Sequence, residues 1–152
     1  MVIAYSAVAR MSDSGIWGKV SPHIASPMRA TVFILLGLPA GASAQDVAAG
    51  EQVFKRTCLA CHDVGPTAKI KLGPPLNGID GRKTGTFEDF NYSEANKTSG
   101  IVWNEQSFPP YVRAPMQAMP GTKMFFVGLK SDKEIADLWA YLKQLGPDGE
   151  KK

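Results

Sequence analysis

Two stretches of the chain carry a helical pattern of apolar positions, and they lie far apart. The first opens at Asp46, a residue suited to capping, with Val47, Gly50, Val53, Phe54 and Leu59 at helical spacing on one face. The last is "SDKEIADLWAYLKQLGPDG". It begins with a capping box, Ser131-x-x-Glu134, and places Ile135, Leu138, Trp139, Leu142 and Leu145 on one stripe. Gly146 and Pro147 stop it. An apolar stripe needs something to cover it, and the first helix is the natural partner for the last.

The stretch between them is rich in loops, with "KLGPPLNGIDGRKTGT" and "RAPMQAMPGTKM" as its clearest turn-forming segments. The pattern predicts a short helix from Ser93 to Ser99. Another lies near Asn104 to Val112, but Pro109 and Pro110 sit inside it. Proline is tolerated only in the first turn, so this helix should start late, with Ser107 as its cap. No strand series and no internal repeat is visible. The expected class is all-α.

The first 44 residues read differently. From Met28 the chain runs "MRATVFILLGLPAGASAQD": one positive charge, an apolar run from Ala30 to Leu38, then small residues before Gln45. That is the layout of a cleavable secretory signal, with the cut between Ala44 and Gln45. A membrane anchor would need about 20 apolar residues, and this run is roughly half that. Residues 1–27 are a polar extension that signal peptides seldom carry, so translation is expected to begin at Met28. The domain would then span residues 45–152, exported to the periplasm as a soluble monomer with no stable membrane anchor.

Removing the leader changes the chemistry available. Arg10, Lys19 and Arg29 go, with Asp13, and the formal charge falls from +3 to +1. A nucleic-acid binder would carry a dense basic face instead. His23 also goes, which leaves His62 as the single histidine of residues 45–152. The remaining chain has few helices and long loops. Small domains of that kind need a staple, and a large apolar cofactor would complete the core.

The chemistry sits in "KRTCLACHDVG". Cys58 and Cys61 are the only cysteines, and His62 follows directly. Four readings compete. A dithiol redox centre would sit among alternating strands and helices, and none are visible. A zinc site needs four ligands, and only these three Cys and His residues are present. A plain disulfide leaves His62 unexplained. The fourth reading is attachment of a c-type haem. Two thiols one helical turn apart can each add to one vinyl group of the porphyrin, and the histidine is carried to the iron. A sixth ligand cannot be a second histidine. It must come from a methionine, for which Met124, after the turn Pro120-Gly121-Thr122-Lys123, is the first candidate and Met119 the second. With both axial positions filled, the iron carries electrons. With the sixth open, the chain would be a haem enzyme or a gas-binding cytochrome.

The segments "GEQVFKRTCLACH", "LGPPLNGIDGRKTG", "FNYSEANKTSGIVW" and "MPGTKMFFVGLKSDKEIADLWAYLK" together resemble class I cytochromes c, of the mitochondrial type and its periplasmic bacterial relatives. The resemblance covers about Gly50 to Leu145. It implies first and last helices that cross, and loops wrapping a covalently bound haem. It implies thioether bonds at Cys58 and Cys61, axial ligation by His62 and Met124, and a Pro74 carbonyl holding the imidazole. Tyr92 and Trp103 match residues that hydrogen-bond a haem propionate, with Arg82 near it. Asn96, Tyr111 and Thr122 match the polar network beside the methionine, and Phe126 the aromatic near the exposed haem edge. Gly50 and Phe54, with Leu138 and Tyr141, match the contact between the two long helices.

The implied function is one-electron transfer, without bond-breaking catalysis. The implied partners are redox proteins: a cytochrome bc complex, an oxidase, a photosynthetic reaction centre or a periplasmic dehydrogenase. Two departures stand out. The family helix that matches the one carrying Tyr111 normally lacks Pro109-Pro110. Met116 and Gln117 stand where the family often has docking lysines. The remaining basic candidates are Lys55, Arg56, Lys69, Lys71, Lys123 and Lys130, so docking should depend only weakly on salt. Asn91-Tyr92-Ser93 and Asn96-Lys97-Thr98 match the glycosylation pattern, but both lie on residues needed for the haem pocket.

Overall fold

The computed structural model describes residues 45–152. The expected signal peptide, the expected cut after Ala44 and the expected extension before Met28 fall on residues 1–44, outside the described residues. Five helices form: α1 (Val47–Thr57), α2 (Glu94–Thr98), α3 (Phe108–Arg113), α4 (Pro115–Ala118) and α5 (Asp132–Lys143). Only isolated bridges, Lys83 with Val102 and Leu145 with Lys151, resemble sheet pairing among the described residues.

Helices α1 and α5 form the frame. Asp46 caps α1, its carboxylate accepting from Ala49 N–H at 3.0 Å. Its own N–H donates to Asp137 Oδ1 at 2.9 Å, which ties the start of α1 to the middle of α5. Gly50 lies so close to the Asp137 carbonyl and Tyr141 that no Cβ fits, and this sets how near the two helices approach. Phe54 packs on Tyr141 with ring centroids 5.7 Å apart. Ile135, Leu138, Trp139, Leu142 and Leu145 are all buried, as the stripe required. Two expectations fail. The expected face of α1 is buried only at Gly50, Val53 and Phe54: Val47 is exposed at the first helical position, and Leu59 is exposed because the helix ends at Thr57 and the chain turns before the register reaches it. The capping box is half made. Ser131 accepts from Glu134 N–H, but the Glu134 carboxylate pairs with Arg56 of α1 at 2.8 Å instead of turning back.

Helix α3 starts late, at Phe108, as its prolines demanded. Ser107 occupies the cap position but makes no capping bond. A cap serves the N–H groups of the second and third helical residues, and here those are Pro109 and Pro110, which have none. The Ser107 hydroxyl donates to Val102 O and accepts from Asn104 N–H. The prolines thus remove no helical hydrogen bond from α3, since first-turn N–H groups have no helical partner anyway. Phe108 reaches Trp139 of α5, centroids 4.9 Å apart. Helix α4 was not foreseen. It is a single turn started by Pro115, inside a stretch that reads as loop.

The segment after α4 is held against α3. Leu129 N–H donates to Val112 O at 3.1 Å. Gly128, at φ 86°, lies against the Arg113 carbonyl with no room for a Cβ. This fixes the direction in which residues 122–127 run back over the molecule.

Candidate functional site

A cavity of about 490 Å³ opens between the loops and α5. Cys58, Cys61 and His62 line it from the turn that ends α1, and Leu138 and Leu142 from α5. Met124 and Phe126 line it from the segment before α5. Its walls are mostly apolar, a shape and character suited to a large flat organic cofactor.

The turn presents its three chemical groups through ordinary helix termination. The N–H groups of Cys61 and His62 both donate to Cys58 O, at 2.9 and 2.8 Å. Cys58 and Cys61 form no disulfide with each other. Burial pushes the Cys58 thiol up, the opposite of what a reactive dithiol centre needs. No cluster of three or more His, Cys, Asp or Glu suited to a metal ion occurs among the described residues. The thiol-redox and zinc readings therefore lose their support.

His62 is set by Pro74. Its Nδ1 lies 2.8 Å from the Pro74 carbonyl. A carbonyl can only accept, so Nδ1 carries the proton, and Nε2 is left with a free lone pair. Burial lowers the imidazole below its ordinary range; the charges of Arg82 and Lys71 add to this, and the bond to Pro74 opposes it. The ring is therefore neutral at neutral pH. Gly73 lies against its face, and any side chain there would overlap it.

Around Met124 the polar groups are fully engaged. Thr122 Oγ1 accepts from Met124 N–H at 3.3 Å and donates to Asn96 Oδ1 at 3.4 Å. Tyr111 Oη, 3.0 Å from the same hydroxyl, is then the donor. Asn96 also accepts from Ser93 at 2.7 Å and donates to Thr84 at 3.3 Å. Each of these residues but Thr84 lines the cavity. Met119, the second candidate, is buried in the core and does not line it.

Tyr92 and Trp103 also line the cavity, and Trp103 packs on Tyr111 with centroids 4.8 Å apart. Burial pushes the Tyr92 phenol up, against the nearby Arg82 charge. Arg82 itself is not among the lining residues. Its guanidinium donates to Pro75 O and Asn77 O, each at 3.0 Å, and its head lies 5.3 Å from the Phe87 ring. The structure thus brings eleven of the twelve expected residues to one cavity and places the twelfth behind its wall. It adds liners the sequence reading passed over, chiefly Leu72 and Phe125, which are 82% and 84% exposed at the rim. Their signal was an apolar residue directly after a lysine or beside Phe126, in a loop with no core pattern to explain it.

The Cytochrome c family model matches residues 47–146, most of the chain and all five helices. The chain belongs to the cytochrome c family. It is 54% identical over 121 residues to cytochrome c2 from Blastochloris viridis, covering 80% of this chain and 94% of that protein. It is 50% identical over 107 residues to cytochrome c-550 from Nitrobacter winogradskyi, covering 70% and 97%. Among solved structures, cytochrome cH from Methylobacterium extorquens superposes with a TM-score of 0.60 at 38% identity, covering 64% of this chain and 97% of that one. As a cytochrome c it is an electron carrier with protein redox partners, not an enzyme, and it holds one haem c covalently through its two cysteines. The all-α expectation and the crossing of first and last helices hold with it.

Proposed function

We propose that this cytochrome is a periplasmic one-electron carrier whose haem is ligated by His62 and Met124. The observation that carries the reading is that these two side chains, from segments at opposite ends of the domain, line the same apolar cavity as Cys58 and Cys61. The donor set also fits the group: a neutral imidazole with a free Nε2, and a soft thioether. Bound there, the haem supplies an iron that cycles between ferric and ferrous states.

The chain's own residues do the rest. Pro74 holds His62 in one orientation and makes its imidazole a stronger donor. Met124 favours the reduced iron and raises the potential. Held by both side chains, an iron would have no open position for oxygen, peroxide or substrate. Asn96, Tyr111 and Thr122 fix the backbone that presents Met124. Tyr92 and Trp103 supply a phenol and an indole N–H for a propionate, with Arg82 lending its charge through Tyr92's side of the wall.

Leu72 and Phe125 mark the rim through which an electron would pass, near Phe126. Of the six basic candidates, Lys55 pairs with Glu51, Arg56 with Glu134 and Lys71 with Asp63, while Lys69, Lys123 and Lys130 meet no carboxylate among the described residues. Docking to a redox partner should then rest more on apolar contact than on charge, with a shallow salt dependence. A bc complex, an oxidase, a reaction centre or a dehydrogenase all fit that description.

The test is the protein purified from a periplasmic fraction. Its reduced spectrum should show the sharp bands of a low-spin c-type haem, and a potentiometric titration should follow a single one-electron curve at positive potential. A high-spin spectrum, or recovery only with membranes, would contradict the proposal.

A further inference from the structure

The segment after His62 and the segment after Pro74 run side by side in parallel register. Gly73 N–H donates to Cys61 O at 2.8 Å, His62 Nδ1 to Pro74 O at 2.8 Å, and Leu76 N–H to Asp63 O at 2.9 Å. The next rung is not backbone. Asn77, which is buried, uses its side-chain amide to accept from Gly65 N–H and donate to Gly65 O, both at 2.9 Å. One side chain thus stands in for a backbone pair and closes the loop that carries the Pro74 carbonyl.

The C-terminus holds that rung shut. Beyond α5 the chain folds back on itself. Gly146 N–H donates to Glu150 O at 2.7 Å, and Lys152 N–H to Gln144 O at 2.8 Å. The tip of this fold is Gly149, at φ 82°, buried against Gly65 and the Asn77 amide with no room for a Cβ. Gly78 N–H donates to Leu145 O at 3.1 Å, and Pro147 packs on Gly78. Gly65, Asn77, Gly78 and the fold-back of residues 144–152 do not line the cavity.

We infer that Asn77 and the C-terminal fold-back act as a clasp that positions the Pro74 carbonyl on His62, so that residues remote from the haem tune its proximal ligand. Asn77 is a positioning residue. It does not line the cavity and acts only through the register of the loop. The inference rests on His62 being the iron ligand. A carbonyl held on Nδ1–H makes the imidazole more basic, which favours ferric iron. A loosened clasp lets that bond open more often, so the Nδ1 proton exchanges faster and the potential rises.

The experiment is proton NMR of the reduced holoprotein, following His62 Nδ1–H exchange, together with its midpoint potential. It compares wild type with Asn77→Ala and with a chain ending at Gly146. Ile135→Val, a core change of α5 away from the clasp, controls for lost stability alone. The expected result is exchange faster by about tenfold in both clasp variants, equal to about 1.4 kcal/mol less cost to open the bond, which is within what a buried hydrogen bond is worth. Their potential should rise, and Ile135→Val should change neither. Should the alanine variant not mature, Asn77→Asp keeps the acceptor for Gly65 N–H and loses the donor, and its exchange must still quicken. Wild-type exchange and potential in the clasp variants overturn the inference and leave His62 ligation standing. A wild-type protein whose His62 ring shows no iron ligation removes both.

Discussion

Helices α1 and α5 and the stretch between them are built by different rules. The helix pair is held by a repeated apolar stripe and one point of close approach, Gly50 on Asp137. Most of that pair has its partner inside the polypeptide, and Leu138 and Leu142 of α5 also line the cavity. The central stretch has short helices, many turns and a large apolar hollow. Its order comes from single polar side chains that bond to backbone: Asn77 to Gly65, Arg82 to Pro75 and Asn77, Thr122 to Met124. The first region packs chiefly on itself. The second is a wall around a cofactor, and it is complete only when the haem fills it.

Breaking that distinction outright takes removal of the attachment. The double variant Cys58→Ala, Cys61→Ala should be exported without haem and lose fixed packing in the central stretch, leaving residual helix. Near-ultraviolet circular dichroism and amide exchange check this. A haem-free chain with native protection across residues 73–126 would mean that the loops need no cofactor.

Gly50→Leu attacks the other region. Side-chain atoms would meet the Asp137 carbonyl and Tyr141, and the backbone cannot give way without parting the helices. The expected loss is about 3 kcal/mol or more in a denaturant titration. An effect near zero would show that the helix contact is looser than described.

Tyr111→Phe sharpens the comparison at smaller scale. It deletes one donor to Thr122 and should cost about 1 kcal/mol. It should also weaken the methionine-dependent absorption more than an equal loss placed in the helix pair. Equal effects on both would count against a dedicated role for that network.

The smallest effect is tied to pH. Burial pushes the Asp137 carboxyl up, but the Lys133 ammonium, at 2.6 Å, and the Asp46 N–H outweigh it, so its net pKa lies below the usual carboxylate value. A group with a depressed folded pKa contributes stability above its unfolded pKa and loses it as pH falls through the folded value. Asp137→Asn should therefore flatten the acid limb of the stability–pH curve and leave the alkaline limb alone. A parallel shift at every pH would contradict this.

The two regions also differ in how far the amino-acid order reveals them. The α5 stripe and the Asp46 cap are read from periodicity because a buried helix face repeats. Leu59 misled, since periodicity does not say where α1 stops. Pro109-Pro110 predicted the late start of α3 correctly and concealed that Ser107 would have no N–H to cap. The haem attachment was legible in Cys58, Cys61 and His62 because bond chemistry fixes their spacing. The turn Pro120 to Lys123 put Met124 ahead of Met119, the resemblance pointed the same way, and Met124 is the one that lines the cavity. Arg82 shows the limit. Its charge was foreseen, but its pairing with two carbonyls depends on how the loop of Pro74 to Gly81 curls, and nothing local encodes that. The Asn77 rung and the Gly149 tip join segments distant in sequence, so only the folded chain displays them.

The central claim is that His62 and Met124 form the ligand pair of an electron carrier. The most direct test compares the ferric spectra of wild type, Met124→Ala and Met119→Ala. The far-red band of a methionine–iron bond should be present in wild type, kept in Met119→Ala and lost in Met124→Ala, with the c-type haem still attached. A far-red band that survives Met124→Ala, or a wild-type protein that lacks it and is high-spin at rest, would contradict the account.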